Sequence, residues 1–302
     1  MSDKKTILVV GATGQQGGSV ARHLLAQSNF AVRGLTRNPD SDNAHMLKDA
    51  GAEVVKGDLA DVASLKAAVA GCYGIFGVTN FWEHFRREYE LGMNLVTAVA
   101  AERVAHFVFS SLPDPKKLGN GGYDVPHFEI KAKIEQQIRQ IGIKSTFVHV
   151  AFYYENFLSF FPPQKQADGS FTFGFPQGDT RLAAVAAEDL GGIVTAIFQH
   201  PEVYIGKTVG VVGDDQKPAT YADIMTKVFN KKIVYQNIPR EVFAQFPFPG
   251  ADDLANMFEM NRLHIPSRAD DLSESRRLYP KLQSFETWLA KNRQSFSGIF
   301  AG

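Results

Sequence analysis

Residues 11–18, with the sequence GATGQQGG, join an apolar run to an amphipathic one near the start of the chain. The preceding run ILVV is typical of a buried strand, and the following run SVARHLL is typical of a helix. A strand that turns through glycines directly into a helix opens a βαβ unit, and successive units of this kind build a parallel sheet. This segment therefore predicts an α/β fold for the first part of the chain.

The same alternation of strand-like and helix-like runs continues to residue 150. The predicted strands cover residues 6–10, 31–35, 52–55, 74–78, 106–110 and 146–150, and the predicted helices cover residues 17–27, 43–50, 63–70, 85–103 and 128–141. This order implies a Rossmann-type doubly wound parallel sheet, whose ligand lies at the carboxyl ends of the strands.

After residue 150 the pattern loosens. Residues 151–180 are rich in aromatic residues, proline and glycine, which predicts a covering loop followed by a short hairpin. We expect a nucleotide-binding domain over 1–150 and a smaller C-terminal α+β lid domain over 151–302, with residues 183–200 packing back on the first domain. The lid would contain a strand over 207–212, a helix over 221–229 capped by Thr220, and a helix over 285–291.

The composition limits the classes of function. Thirty-two basic residues balance 32 acidic ones, so no net field draws the chain to nucleic acid or to an anionic membrane. The single cysteine, Cys72, suits a reducing compartment and reads as a small buried apolar group. No apolar run approaches the ~20 residues of a membrane helix, and the first residues lack a secretory pattern. The histidines form no short-spaced ligand set. We expect a cytoplasmic or nuclear protein, monomeric or homodimeric, without a metal site.

Each glycine of the turn has a separate role in binding a dinucleotide. Gly11 permits the tight turn, Gly14 lets the backbone approach a diphosphate, and Gly17 allows the helix to lie close to the strand. The free N–H groups at the start of the helix would then bind the anion. The strand, the spacing and the helix agree, so the turn predicts a dinucleotide site.

The end of the second predicted strand indicates which dinucleotide is bound. It reads Thr36-Arg37-Asn38, with no acidic residue to accept from ribose hydroxyls. The planar guanidinium of Arg37 suits a 2′-phosphate, and Thr36 and Asn38 can add hydrogen bonds. The residues therefore favour NADP(H) over NAD(H). Arg33 is the rival candidate, and its alternative interpretation is a surface arginine.

Other strand ends predict further cofactor contacts. Asp58 and Leu59 follow the third strand, where Asp58 could accept from the adenine amine or could instead cap its own turn. Val78-Thr79-Asn80 ends the fourth strand and is expected to line the cleft. Ser110-Ser111 ends the fifth strand on the nicotinamide side.

The chain resembles the NmrA-like family, an atypical branch of the short-chain dehydrogenase/reductase superfamily, over nearly its whole length. The resemblance rests on GATGQQGG, TRNP at 36–39, KGDLAD at 56–61, VTNFWE at 78–83, HFEIKAKIE at 127–135 and YYENFL at 153–158. It implies cofactor contacts at Gly11, Thr13, Gly14, Gln15, Gln16, Gly17, Arg37, Asp58, Leu59, Thr79 and Asn80. It adds Lys131 and the segment Tyr154, Glu155 and Asn156 around the nicotinamide.

The segment HFEIK bears on catalysis, because His127 and Lys131 lie one helical turn apart. In related reductases a tyrosine occupies the place of His127 and donates a proton, while plant reductases similar to this family use the lysine. Lys131 is read as a cofactor or pocket residue, and His127 either as a general acid or as a helix-start or packing residue. Tyr123, in a glycine-rich loop, is a substitute donor. Lys133 and Glu135 are read as solvated charges.

Two functions of different classes remain open. The leading hypothesis is an NADP(H)-sensing regulatory protein with little turnover that acts through a protein partner. The alternative is an NADPH-dependent reductase of a small carbonyl or conjugated substrate, or a non-redox enzyme that reuses the pocket. The aromatic run 152–157 would either stack on the nicotinamide or form core. The segment QFPFPG at 245–250 is a lid, a dimer surface or a docking site.

Overall fold

The computed structural model describes residues 4–27, 29–119 and 122–300. Residues 1–3, where the sequence predicts no secretory pattern, and residues 120–121 of the predicted loop around Tyr123 lie outside the described residues. The chain divides into two compact units. The first contains the chain up to Pro113, His127–Val150 and Ala187–Val209, and the second contains Asp114–Pro126, Ala151–Ala186 and the chain from Gly210 onward.

Thirteen strands are present in the described residues. They are β1 Lys5–Val10, β2 Phe30–Thr36, β3 Glu53–Lys56, β4 Gly74–Gly77, β5 His106–Ser111, β6 Ser145–Val150, β7 Phe152–Tyr153, β8 Gln164–Lys165, β9 Phe171–Phe175, β10 Leu182–Val185, β11 Thr208–Val211, β12 Asp214–Gln216 and β13 Ile233–Asn237.

The α-helices are α1 Gln15–Leu25, α2 Asp42–Asp49, α3 Val62–Val69, α4 Phe81–His84, α5 Glu88–Glu102, α6 Pro115–Leu118, α7 Pro126–Ile141, α8 Asp189–Gln199, α9 Pro201–Tyr204, α10 Pro218–Phe229, α11 Arg240–Phe243, α12 Ala251–His264, α13 Ala269–Leu278, α14 Phe285–Lys291 and α15 Ser297–Phe300. Short 3₁₀ turns cover Phe85–Arg87, Tyr154–Phe157 and Arg293–Phe296.

A seven-stranded sheet in the order β11-β6-β5-β4-β1-β2-β3 forms the centre of the first unit. The pairs β1–β2, β1–β4, β2–β3, β4–β5 and β5–β6 are parallel. The strand order reverses between β1 and β4, so the carboxyl ends of these two strands flank the crevice where doubly wound sheets bind ligands. The predicted Rossmann-type class, with a smaller second α+β unit, is confirmed.

The strands of this sheet are buried on both faces, which explains their continuous apolar sequences. Ile7, Leu8 and Val9 of β1 are fully buried. Helix α8 packs against α1, and a side-chain Cβ at Gly191 would lie only 2.3 Å from the carbonyl oxygen of Ser19. Glycine is therefore required where these two helices cross.

The second unit contains two small sheets, in the orders β12-β10-β7 and β13-β9-β8. Strands β8 and β9 form the predicted hairpin, while β13 pairs parallel with β9. Its core is largely aromatic, as shown by Phe175 and Phe258, whose rings stack at 4.7 Å. The aromatic residues of the second unit thus supply its core.

Some predicted elements lie elsewhere. The strand expected over 207–212 in the lid is β11, at the edge of the main sheet beside β6. Helix α10 begins at Pro218 after Lys217 and is not capped by Thr220, because proline supplies a favourable backbone angle at the first helical position. Helices α12 and α13 were not predicted.

Candidate functional site

The glycine turn has the geometry that the sequence predicts. Gly11 has a φ of +63°, and the N–H of Gly14 donates to the carbonyl of Gly11 at 2.9 Å. A Cβ at Gly17 would lie 2.3 Å from that same carbonyl oxygen, so the helix approaches the strand closely. Helix α1 begins at Gln15 and has no side-chain cap, which leaves its first N–H groups available to an anion. The turn therefore fits a dinucleotide diphosphate.

Polar groups beside the turn also fit a polar ligand. Oε1 of Gln16 is buried and has no hydrogen-bond partner in the described part of the chain. The carbonyl of Thr13 accepts from Nδ2 of Asn43 at 3.1 Å, which links the turn to α2. A buried acceptor without a partner is costly unless a ligand or water satisfies it.

Arg37 lies immediately after β2 with an exposed side chain, as expected of a residue that binds an external phosphate. Its Nη1 atom lies 2.6 Å from Oε1 of Glu83, which follows β4. Nδ2 of Asn80 donates to the other oxygen of Glu83 at 3.4 Å. The hydroxyl of Thr36 bonds to the backbone of Asn38. The predicted residues Arg37 and Asn80 are thus brought together by a carboxylate that the sequence did not single out.

The rival candidate Arg33 has a structural role. Its guanidinium donates to Glu53 at 2.7 Å and to the carbonyls of Ala68 and Ala70 at 2.9 Å. Its Nη1 atom also lies 3.5 Å from Sγ of Cys72, whose thiol pKa is raised by burial. Arg33 therefore joins β2, β3 and the end of α3. Because these hydrogen bonds already occupy its guanidinium, Arg33 is poorly placed to bind a cofactor phosphate.

Asp58 and Leu59 follow β3. Oδ1 of Asp58 accepts from the backbone N–H of Ala60 at 2.8 Å, so the carboxylate caps its turn with one oxygen. The carbonyl of Leu59 accepts from Asn94 at 2.9 Å, and its side chain packs against the sheet core. The structure supports the turn-capping interpretation of Asp58; the adenine contact of both residues stays a prediction.

Lys131 lies in a buried polar cluster of the first unit, with Thr79 and Glu88. Its Nζ atom donates to the carbonyl of Thr79 at 2.8 Å, to the hydroxyl of Thr79 at 3.1 Å and to Oε1 of Glu88 at 2.5 Å. The Thr79 hydroxyl donates to the same Glu88 oxygen at 2.6 Å. Glu88 is fully buried, and its Oε2 atom has no partner among the described residues. Thr79 follows β4, which neighbours β1, and the glycine turn follows β1. The ammonium of Lys131 is therefore anchored one strand away from the glycine turn.

His127 lies on the first turn of α7 and is 6% exposed. Its ring lies 5.8 Å from Phe81, 5.2 Å from Trp82 and 4.8 Å from Phe128, measured between centroids. This environment agrees with the packing interpretation. A role as general acid stays a prediction, and it would require a substrate to reach this ring cluster.

The segment 154–156 belongs to the second unit. The ring of Tyr154 is fully buried beside Phe285 and Trp288, and its hydroxyl donates to Asp214 at 3.2 Å. The carbonyl of Asn156 accepts from Phe161 at 2.8 Å. A cofactor contact by the Tyr154 hydroxyl would require it to leave Asp214, so this position does not favour that contact. Glu155 and Asn156 are half-buried, and their contacts with a cofactor stay predictions.

Two further residues in the predicted regions differ from expectation. Glu135, expected to be a solvated charge, lies 2.9 Å from Nε2 of His149 and also binds Arg139. Burial raises the pKa of Glu135, but these hydrogen bonds outweigh it and lower the pKa overall. Tyr123, the substitute proton donor, has the guanidinium of Arg240 4.5 Å above its ring, within the second unit. The contacts of Glu135 with His149 and of Tyr123 with Arg240 join residues that are 14 and more than 100 positions apart, so the local sequence pattern does not predict them.

The second unit also contains a cavity of about 310 Å³ whose walls include Phe160, Phe161, Phe243, Phe246 and Phe248. Phe246 and Phe248, from the segment QFPFPG, are each 36% exposed. No helix in the described ranges is long and apolar enough to span a bilayer. Within the same ranges, no group of three or more His, Cys, Asp or Glu side chains is arranged to hold a metal ion.

Comparison with known proteins agrees with this architecture. The model of the NmrA-like family matches residues 3–289. An NmrA-like family domain-containing protein of Dictyostelium discoideum is 33% identical in an alignment 297 positions long that covers 95% of this chain and 97% of the relative. The NmrA-like family domain-containing oxidoreductase FrzB of Cladobotryum sp is 35% identical in an alignment 306 positions long that covers 90% of each chain. Crystal structures of NmrA, a negative transcriptional regulator, in complex with NADP and with NAD each align with a TM-score of 0.82, at 24% identity over 95% of both chains.

Proposed function

The chain belongs to the NmrA-like family, and we propose that it is an NADP(H)-dependent oxidoreductase that acts on a small carbonyl or conjugated substrate. The observation that carries the proposal is the anchoring of the Lys131 ammonium by Thr79 and Glu88 one strand away from the glycine turn. The name of the relative FrzB, an oxidoreductase at 35% identity, supports the same choice. This reverses the order of the two hypotheses from the sequence, which placed a sensor first.

Different residues of the first unit would bind the two ends of the cofactor. The N–H groups after Gly14 would hold the diphosphate, and Arg37 would hold the 2′-phosphate. Lys131 and Thr79 would lie toward the nicotinamide ribose. The family resemblance also implies contacts from Tyr154, Glu155 and Asn156, of which Tyr154 has its hydroxyl bonded to Asp214.

Reduction of a carbonyl adds a hydride to carbon and a proton to oxygen. Bound NADPH supplies the hydride. Nζ of Lys131 carries the nearest exchangeable protons of the anchored cluster, but all three are directed to Thr79 and Glu88. Donation to a substrate therefore requires Lys131 to exchange one of these contacts, with Thr79 remaining to satisfy Glu88. His127 is the second candidate donor.

The test is NADPH oxidation by the purified full chain with a panel of small quinones, aldehydes and conjugated ketones. We expect saturable turnover with at least one of these substrates. Lys131→Met should reduce kcat by roughly 10²–10⁴-fold, the usual contribution of a positioned proton donor, while calorimetric titration still detects NADPH binding. Lys133→Met, which removes an equal charge from the same helix, is the control. Turnover that survives Lys131→Met would remove the proposed role of this lysine.

The second candidate is a regulatory protein that responds to the NADPH/NADP⁺ ratio through a protein partner. Two observations favour it: the hydrogen bonds of Lys131 are internal, and His127 is packed among aromatic rings. A sensor must bind the two redox forms differently or change its partner preference with them, because equal affinity for both states shifts no equilibrium. NADP(H) binding without turnover, together with unequal affinities for the two forms, would favour this candidate.

A further inference from the structure

The contact between Arg37 and Glu83 bears on the selectivity of the proposed cofactor site for NADP(H) or NAD(H). Arg37 immediately follows β2 and Glu83 lies in α4 after β4, and these strands flank β1 on opposite sides. Two strand spacings amount to about 10 Å, which the two long side chains together can bridge. The pair therefore extends over the end of β1, where the glycine turn lies.

Glu83 is held in this position from more than one side. Arg37 donates to one carboxylate oxygen at 2.6 Å, and Asn80 donates to the other at 3.4 Å. Nε2 of His84 lies 3.8 Å from the first oxygen. The hydrogen bond from Arg37 lowers the pKa of the Glu83 carboxyl, so Glu83 is an anion at neutral pH. The negatively charged carboxylate of Glu83 thus contacts the guanidinium of Arg37, which is the candidate ligand of the 2′-phosphate.

NADP(H) and NAD(H) would interact differently with the Glu83 carboxylate. A 2′-phosphate that binds Arg37 must share the guanidinium with Glu83 and be repelled by it, since like charges at close range raise the free energy. A 2′-hydroxyl can instead donate a hydrogen bond to an acidic side chain, which is how NAD-selective sites hold the ribose. In those sites the acid ends the second strand, whereas here the sequence has Arg37 there.

We propose that Glu83 is a coenzyme-selecting residue, which supplies from the β4 side the carboxylate missing at the end of β2, so that the chain accepts NAD(H) as well as NADP(H). Glu83 lowers the preference for the 2′-phosphorylated coenzyme that Arg37 alone would impose. This inference rests on the proposed function only in requiring that the first unit bind a nicotinamide dinucleotide.

The experiment measures dissociation constants of NADP⁺ and NAD⁺ for the full chain by calorimetric titration at one ionic strength. Glu83→Gln keeps the shape of the side chain and removes its charge. We expect the ratio of the NAD⁺ to the NADP⁺ dissociation constant to rise roughly tenfold in this variant, which corresponds to ~1.4 kcal/mol. Competition with 2′,5′-ADP and with 5′-ADP should show the same change, because these probes contain only the adenosine end.

Glu90→Gln is the matched control. Glu90 is an exposed acid on α5, and its partner is Arg87, at 3.9 Å. It changes the net charge equally and should leave the ratio unchanged. Thermal unfolding of Glu83→Gln should match that of the wild type, because an exposed ion pair contributes little to stability.

The outcomes separate this inference from the proposed function. A wild-type chain that binds neither coenzyme overturns both. A chain that binds them, but whose ratio is the same in wild type, Glu83→Gln and Glu90→Gln, overturns the role of Glu83 alone. A ratio that falls in Glu83→Gln overturns it as well, because the carboxylate would then favour the phosphate.

Discussion

Nζ of Lys131 lies 2.5 Å from Oε1 of Glu88, and the carboxylate is fully buried. The contact joins α7 to the first turn of α5 and, through Thr79, to the end of β4. Two opposite charges removed from water stabilise each other only while both are present. The pair that makes Lys131 a candidate for chemistry is therefore also part of the packing of the first unit.

Lys131→Met should reduce the free energy of unfolding by about 3–5 kcal/mol, because it leaves the buried Glu88 carboxylate without its cation. Glu88→Gln should cost a similar amount by leaving the ammonium unpaired. The double variant Lys131→Met/Glu88→Gln should recover much of the loss, since no buried charge remains. Urea denaturation of the three variants checks this. Additive losses in the double variant would mean that the two residues stabilise the fold independently.

Gly17→Ala should abolish measurable dinucleotide binding and lower the unfolding midpoint. The added Cβ would lie 2.3 Å from the carbonyl oxygen of Gly11 and 2.6 Å from that of Val10, and these backbone atoms cannot move aside as a flexible side chain could. Gly298→Ala is the control, because a Cβ there meets no atom within 4 Å. Titration with NADP⁺ and thermal unfolding are the measurements. Unchanged binding in Gly17→Ala would show that the turn does not hold the ligand.

Arg33→Ala should lower the stability of the protein but not its coenzyme preference, and Arg37→Ala should do the reverse. Loss of Arg33 removes hydrogen bonds to Glu53, Ala68 and Ala70 and should lower the free energy of unfolding by about 1–3 kcal/mol, without altering coenzyme preference. Loss of the exposed Arg37 should leave stability unchanged and weaken NADP⁺ roughly 10- to 100-fold, as expected for a charged hydrogen bond. If Arg33→Ala were the variant that lost NADP⁺ preference, the assignment of the phosphate ligand would be wrong.

His106 should make the stability of the first unit depend on pH. Burial lowers the pKa of His106 from its ordinary value of 6.5 to about 4, and its Nε2 atom lies 2.7 Å from the hydroxyl of Thr146. Between these two values the unfolded chain binds a proton that the folded chain does not. The stabilising contribution is therefore complete above pH 6.5 and is lost as the pH falls toward 4, by up to ~1.4 kcal/mol per pH unit.

The measurement for this prediction is the free energy of unfolding of the wild type and of His106→Asn across that pH range. The carboxyl groups titrate equally in both proteins, so the difference between the two curves isolates the histidine. The wild-type curve should fall more steeply on acidification. Parallel curves would mean that His106 is already solvated in the folded chain.

The sequence predicted the elements whose signal is local. Apolar runs predicted six strands, and the spacing of Gly11 and Gly17 predicted the turn. Each of these signals depends only on residues close together in the chain. The strand β11 was expected in the lid but pairs with β6 in the main sheet, since a short apolar run does not show which strand it pairs with. Helix α12 was not predicted because it is buried on several sides and lacks a clean amphipathic pattern.

The same reason limits what could be predicted of the site. Arg37 and Lys131 were identified from position and family resemblance, but their partners Glu83 and Glu88 are 46 and 43 residues away in the sequence. Both acids are ordinary helix-start residues when read locally. Only the pairing of strands and helices shows that they lie against the two candidate cationic residues.

The crossing of α8 over α1 has a consequence for biosynthesis. Ser19 donates to the carbonyl of Glu188, and the N–H of Gly191 donates to Ser19 at 3.0 Å, so the helix that follows the glycine turn depends on residues about 170 positions later. Contacts of such separation form late, because a long loop must close first. On the ribosome, the packing around the glycine turn and α1 therefore stays incomplete until most of the polypeptide has been translated. A nascent chain arrested before residue 187 would lack the support for α1 and would rely on chaperones to keep that surface covered.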